Sequence, residues 1–265
     1  MEIKIYFTRT AQKNADEHYE RSKKFALKIE GARKAAISLE RLLAAARGDA
    51  QEKKRKVLRV AKKEWYEKFH WFFTSGNLLA VGGRDAKQNE LVVSRHFENN
   101  DRFFHADIFG ASVTILKGGE GSRREDREEA AWFAACYSSA WKNMSRTVDV
   151  YSVGYGQVSK STAKGSLGAG SFLISGEREW FRSIPLALAM FVRDGKLHSA
   201  PLQAAARLGL ERHATVEQGK LKKSEAAKRV SRITGFDDID TIMQQLPAGT
   251  FSIRESSNPP AGVDK

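Results

Sequence analysis

One cysteine, Cys136, stands among 265 residues. A disulfide framework and a cysteine-rich zinc site are both excluded, and the expected compartment is a reducing one. No window approaches 18 uninterrupted apolar residues, so no segment is suited to cross a bilayer as a helix. The opening Met1-Glu-Ile-Lys-Ile-Tyr-Phe alternates polar and apolar residues and lacks the apolar core of a secretion signal. These absences lead us to expect a cytoplasmic protein with no membrane partner. There is no internal repeat, and the order G-x-x-x-x-G-K-[ST] of a Walker loop does not occur. The hydrophobic fraction, 41%, is a little low for a globular chain and the charged fraction reaches 29%. Both values fit a folded domain that carries a long solvated appendage.

What is abundant is positive charge. The formal net charge is +13, so the natural partner is a polyanion, with nucleic acid ahead of an anionic membrane surface. The excess is uneven: residues 1–64 hold 18 Lys/Arg against 9 Asp/Glu. Such asymmetry marks an interaction arm.

Periodicity divides the chain further. Residues 2–8 read as a short strand. From Ala11 the spacing of Ala15, Tyr19, Ala26, Ile29, Ala36, Leu39 and Leu43 predicts a helix to about Arg47, broken at Gly48-Asp49. A second helix over 50–64 would complete a helical hairpin. Beyond Trp65, the segments at 78–82, 90–95, 102–106, 112–116, 148–153 and 171–175 read as strands, and Arg124–Trp141 reads as a helix. The fold class is therefore α+β: a helical hairpin arm followed by a mixed α/β domain. The expected divisions are a basic arm (1–64), that domain (65–195), a helical C-terminal extension (196–250) and a disordered tail (251–265). Within the extension, helices are expected near Pro201–Leu208 and Ser224–Ile233.

Several separated motifs carry a resemblance. Trp65-Tyr-Glu-Lys-Phe-His-Trp-Phe leads into Gly82-Gly-Arg-Asp-Ala-Lys-Gln-Asn-Glu. His105-Ala-Asp-Ile-Phe-Gly-Ala-Ser, Ser138-Ser-Ala-Trp-Lys, Gln157-Val-Ser-Lys-Ser and Gly165-Ser-Leu-Gly-Ala-Gly-Ser-Phe-Leu-Ile-Ser-Gly follow in order. This set resembles the NFACT-R domain of ribosome-associated quality-control factors. Thr10-Ala-Gln-Lys-Asn-Ala-Asp-Glu-His-Tyr is similar to the coiled-coil arm preceding that domain in the family, and Lys222-Lys-Ser-Glu-Ala-Ala-Lys-Arg-Val is similar to a segment trailing it in archaeal members. The resemblance implies ribosomal RNA, tRNA and the large ribosomal subunit as partners. Family members bind subunits obstructed by peptidyl-tRNA, recruit tRNA and promote C-terminal tailing of the stalled chain. They also carry an N-terminal domain and a helix-hairpin-helix module before a longer arm. This chain has neither, so a separately encoded N-terminal half is an expected partner.

Candidate binding residues follow from chemistry at each motif. Gly82 and Gly83 permit close backbone approach, and Arg84 offers a planar donor fork to phosphate; Asp85, Gln88 and Asn89 complete the element. The alternative is a tight turn in which Arg84 pairs with Asp85. His105 and Asp107 share one face of a strand and can meet a common RNA group, or His105 is simply a hydrogen-bonded structural residue. A metal site lacks a third ligand and an acid–base couple lacks a nucleophile, so neither a metal, a cofactor nor catalysis is expected. Gln157, Ser159, Lys160, Ser161 and Lys164 sit among glycines as a possible phosphate cradle, or as an ordinary solvated loop. The aromatics from Trp65 to Phe73 are expected in the core.

The leading expectation is a non-enzymatic RNA-binding module acting in rescue of stalled ribosomes. An RNA-modifying or RNA-processing enzyme using His105, Asp107 and Lys160 is one alternative. A scaffold that binds a partner through the apolar stripe of the arm is the other.

Overall fold

The computed structural model describes residues 4–58, 64–162, 165–210 and 212–257, without the side chains of 41–58, 162, 166 and 257. The chain divides into two compact units, residues 1–63 and 64–265.

The first unit is a single helix, α1 (Ala11–Leu58), and not the expected hairpin. The helix runs straight through Gly48-Asp49. An interior glycine costs a helix about 1 kcal/mol against alanine, which the flanking Ala, Arg, Lys, Gln and Glu residues offset by their own helix preference. The strand expected at 2–8 is absent over 4–8, and residues 2 and 3 lie outside the described ones. Instead Asn14 pins the leading segment: its Oδ1 accepts from Tyr6 N at 3.0 Å and its Nδ2 donates to Tyr6 O at 3.1 Å.

The second unit is built on a six-stranded antiparallel sheet. In chain order its early elements are β1 (His70–Phe73), β2 (Leu79–Gly82), helix α2 (Ala86–His96), β3 (Arg102–Ala106) and β4 (Val113–Leu116). Then come helix α3 (Arg124–Cys136), the single turn α4 (Ser139–Lys142) and β5 (Thr147–Gly154). A loop with four two-residue strands follows, β6 (Val158–Ser159), β7 (Ser161–Thr162), β8 (Gly165–Ser166) and β9 (Leu173–Ile174), before β10 (Glu179–Pro185). The order in the sheet is β1-β2-β4-β3-β5-β10.

Side chains alternate across a strand, and here both faces are apolar. Phe72, Phe104, Leu116 and Val150 enter one core with Phe133 of α3, while Trp71, Phe103, Ile115 and Tyr151 enter another with Val92 of α2. Phe69, Trp71 and Phe72 are buried, as the aromatic cluster led us to expect, although they lie in a turn and a strand, whereas Trp65 is exposed and Tyr66 and Phe73 are half-buried. The expected strand at Glu90–Arg95 is instead part of α2. Asp85 caps that helix by accepting from Gln88 N at 2.8 Å, and this nucleation outweighs the strand preference of Val92-Val93.

A second sheet packs into the first core. It comprises β11 (Ala187–Arg193), β12 (Lys196–Pro201), β13 (Arg212–Leu221) and β14 (Phe251–Ser257), ordered β12-β11-β13-β14. Helices α5 (Lys223–Thr234) and α6 (Ile239–Gln245) lie between its last two strands in the chain. The region 196–250 thus contributes two strands, β12 and β13, as well as helices, where a purely helical extension was expected. α5 stands where a helix was read, but 201–208 holds only a 3-10 turn at Leu202–Ala204. Residues 251–257, expected to be disordered, form β14, and 258–265 lie outside the described residues. Asp194 and Gly195, with φ of 53° and 73°, make the two-residue turn joining β11 to β12. Among the described residues no helix is long and apolar enough to cross a membrane.

Two buried carboxylates on α3 fasten the β1–β2 hairpin. Asp126 accepts from Thr74 Oγ1 at 2.7 Å, Gly76 N at 2.8 Å and Arg123 Nε at 3.1 Å; Glu129 accepts from Ser75 N at 2.7 Å and Ser75 Oγ at 2.8 Å. Burial pushes the Asp126 carboxyl up, but the Arg123, Thr74 and Gly76 hydrogen bonds hold it below the usual range. A depressed carboxyl stabilises the fold above its unfolded pKa of about 3.9, and that stability is lost as the pH falls through the folded value. Asp126→Ala should therefore cost roughly 2–4 kcal/mol by urea denaturation at pH 7, by stranding several donors. Asp126→Asn should flatten the stability loss below about pH 4; an unchanged acid limb would refute the assignment. For α1, spin labels replacing Ser38 and Lys56 should lie about 27 Å apart at a rise of 1.5 Å per residue. A hairpin bent at Gly48-Asp49 would bring them far closer.

Candidate nucleic-acid interface

The ends of β2 and β3 and the start of β4 meet at one end of the first sheet, and a cleft of ≈ 640 Å³ opens there. Arg84, Asp85 and Asn89 line it from the β2–α2 connection, and His105 lines it from β3. Ile108 to Ser112 come from the β3–β4 loop, Ser138, Ser139 and Lys142 from α4 and its approach, and Gly170 to Phe172 from the glycine-rich loop. Phe109 is 100% exposed at the rim. Ser139 Oγ fixes its backbone by donating to Phe109 O at 2.6 Å. A free aromatic ring on the same cleft as Lys142 can stack on a base while a cation meets a phosphate.

The sequence-derived candidates divide on inspection. Gly82 ends β2, paired with His70 and Thr114. Gly83 donates its N–H to Val113 O at 3.1 Å, and an added Cβ there would collide with Asn89. These glycines permit packing, and the Gly83 amide is already engaged. Arg84 does not pair with Asp85. Its Nη2 donates to Phe69 O at 3.1 Å and its Nη1 to Gln244 Oε1 at 3.2 Å, while its own amide is taken by Gln88 Oε1 at 3.1 Å. Asn89 is buried, and its Oδ1 accepts from Val113 N at 3.2 Å and from Ser112 Oγ at 3.3 Å. Ser112 Oγ also donates to Gly83 O.

His105 lines the cleft. Burial lowers its pKa, partly opposed by backbone contacts at Ala106 and Ala111, so the ring is neutral at pH 7. Asp107 lies one residue past the end of β3, is exposed and does not line the cleft. The glycine-rich loop is held by its own polar groups. Gln157 Oε1 accepts from Gly154 N at 2.9 Å, and its Nε2 donates to Ser175 O at 2.9 Å and Glu177 O at 2.7 Å. Ser159 Oγ donates to Ser161 O at 3.1 Å, and Ser161 pairs across to Ser166. Lys160 Nζ donates to Glu90 Oε2 at 2.6 Å and to Gly168 O at 2.8 Å. That hydrogen bond, with one from Gly170 N, holds the Glu90 carboxyl below its ordinary range. Gly170 has φ +75° and sits so near Ala86 that a Cβ would lie 2.9 Å from its Cα, which requires glycine. Lys164 lies outside the described residues. Arg84, Asp85, Asn89 and His105 are thus gathered at the cleft, and Lys160 serves the loop beside it.

Sequence reasoning passed over three groups. Phe109 was quoted only as part of a motif. Glu90 was not seen as the partner of Lys160. Arg178, Trp180 and Arg182 form a ladder next to the cleft: Arg178 lies 4.5 Å from the Tyr151 ring centroid and Arg182 lies 3.9 Å from that of Trp180. Tyr151 belongs to the cleft wall, so the ladder continues it.

Residues 68–176 match the family model described as the NFACT protein RNA binding domain. The chain is 35% identical to the archaeal Rqc2 homolog aRqcH of Methanocaldococcus jannaschii over 202 residues, 72% of this chain and 30% of that protein. It is 35% identical over 177 residues to the human ribosome quality control complex subunit NEMF, covering 64% of this chain and 16% of the relative. The Drosophila melanogaster NEMF homolog is 38% identical over 137 residues, 51% and 14% of the two chains. The chain therefore spans less than a third of the length of these relatives. Replacing Lys160 with Met should accelerate amide exchange at residues 168–171 at least tenfold while leaving the melting temperature nearly unchanged; unaltered exchange there would show that the ion pair does not hold the loop.

Proposed function

We propose that this chain, an NFACT-R domain protein, is an RNA-binding module of ribosome quality control that contacts the large ribosomal subunit, tRNA or both. The observation that carries the reading is the exposed Phe109, on the same cleft as Lys142, within the span matched to an RNA-binding domain. The Arg178–Trp180–Arg182 ladder extends the same surface with planar cations and an aromatic face, both suited to unstacked bases.

Affinity and choice of site come from different places. The Lys and Arg of α1 supply attraction to phosphates without reading sequence, and this term falls with added salt. The cleft supplies shape and stacking. The reading is of a binder and not a catalyst, because of His105, Asp107 and Lys160 only His105 lines the cleft and Lys160 is committed to Glu90.

Purified protein should bind labelled tRNA or large-subunit RNA fragments in fluorescence anisotropy, with log K falling linearly against log salt between 50 and 200 mM. Phe109→Ala should weaken binding by about 1–3 kcal/mol, the worth of one stacked base, without a change in melting temperature. Absence of salt-sensitive RNA binding by the wild type would end this reading.

A further inference from the structure

A second cleft, ≈ 480 Å³, lies where β1 and the β2–α2 connection face α5 and α6; it shares Arg84 and Ala248 with the first. His70, Arg84, Lys223 and Asp240 stand in its wall. Two of these are cations without a counter-charge. Neither Arg84 nor Lys223 makes an ion pair among the described residues, and Lys223 Nζ has no hydrogen bond there either. Asp240 shares the wall but pairs with neither.

Both cations are partly withdrawn from water. Burial lowers the pKa of each, and the charge of Arg84 lowers that of Lys223 further, so the two repel across the cleft. Arg84 uses two nitrogens on Phe69 O and Gln244 Oε1, and its Nε is buried with no acceptor. His70 is 7% exposed, and its Nδ1 is buried without a partner. Lys223 is also the first residue of the twelve-residue α5, whose N-cap Lys222 makes no side-chain hydrogen bond to the helix. The positive end of the α5 dipole lies at the same residue, partly offset by Glu225 in the first turn.

Two half-buried like charges in one wall, with orphaned polar atoms beside them, cost stability unless something of opposite sign completes the set. A phosphate group carries nearly two negative charges and several acceptor oxygens. We propose that this cleft is a phosphate site in which Arg84 and Lys223 grip one phosphate group from opposite sides at the N-terminus of α5. Its source is the backbone of the bound RNA, an identification that rests on the RNA-binding reading above. The phosphate site itself does not depend on it. The site joins the matched RNA-binding span to a helix 139 residues further along, so it ties the C-terminal region to ligand recognition.

Two measurements on the whole chain test this. In the first, thermal unfolding is followed at constant ionic strength as inorganic phosphate replaces chloride. Phosphate at about ten times its Kd should raise the wild-type melting temperature by roughly 2–4 °C. Lys223→Gln should lose that rise and start no less stable than wild type in chloride, since it removes a repelling charge; Lys223→Arg should keep the rise. An equal phosphate response in wild type and Lys223→Gln overturns the site. In the second, anisotropy with tRNA should show Lys223→Gln bound several-fold more weakly, with the salt slope reduced by about one. Loss of the phosphate response with unchanged RNA affinity overturns the assignment to RNA and leaves a site for free phosphate or a small phosphorylated ligand. Should wild type bind no RNA, the functional reading fails and the phosphate titration alone decides the site.

Discussion

Both faces of the six-stranded sheet are buried, and that constraint governs what the rest of the second unit can do. Adjacent residues in each strand serve different cores: Trp71 and Phe72, Phe103 and Phe104, Ile115 and Leu116 divide in this way. The inner strands leave no face for a ligand, whereas the edge strand β10 keeps Arg182 exposed and Trp180 half-buried. Elsewhere access is confined to the ends of strands, and β2, β3 and β4 meet at one such end. The first cleft opens there because the connections leaving those ends, held by Asn89, Ser112 and Ser139, are the first polar surface the sheet reaches. The same constraint makes the pairing of carboxylates that do enter the interior a necessity. Asp126 and Glu129 enter the interior only because the Thr74–Gly76 turn gives them donors to occupy.

Much of the first sheet was legible because period-two alternation is strong where both flanking layers are apolar. Strands at 79–82, 102–106, 113–116 and 147–154 stand close to where the pattern put them. The failures have physical causes. Val92-Val93 suggested a strand, yet the local capping of α2 by Asp85 settled the segment as a helix. Asp194-Gly195 is a strong two-residue hairpin signal. The helical spacing at 201–208 and 224–233 led the whole segment after residue 196 to be expected as helix, and β12 and β13 were missed with that hairpin. In the arm, the break assigned to Gly48-Asp49 gave one glycine more weight than the many Ala, Leu, Lys, Arg, Gln and Glu residues around it allow.

The site was less legible than the fold. Residue type identified Arg84, Asp85, Asn89 and His105 near a common cleft, but it did not reveal what each side chain was already doing. Lys160 looked like a free cation among hydroxyls, whereas Glu90 meets it from seventy residues away. Gly83 looked like a backbone donor for a ligand, whereas its amide closes onto Val113. The pairing of Arg84 with Lys223 leaves no local trace at all, since nothing in either segment reports the other. Long-range juxtaposition of like charges is information that only the folded chain carries.

The last strand has a consequence for how the unit is held closed. β14 covers β13 from Arg212 to Leu221, and Phe251 at its start is fully buried. Were residues 251–257 removed, a ten-residue strand would present a bare row of amides and carbonyls beside an empty aromatic socket. Such an edge recruits other chains as readily as it once held its own. What looks from composition like a dispensable tail is the strand that closes this edge of the second sheet.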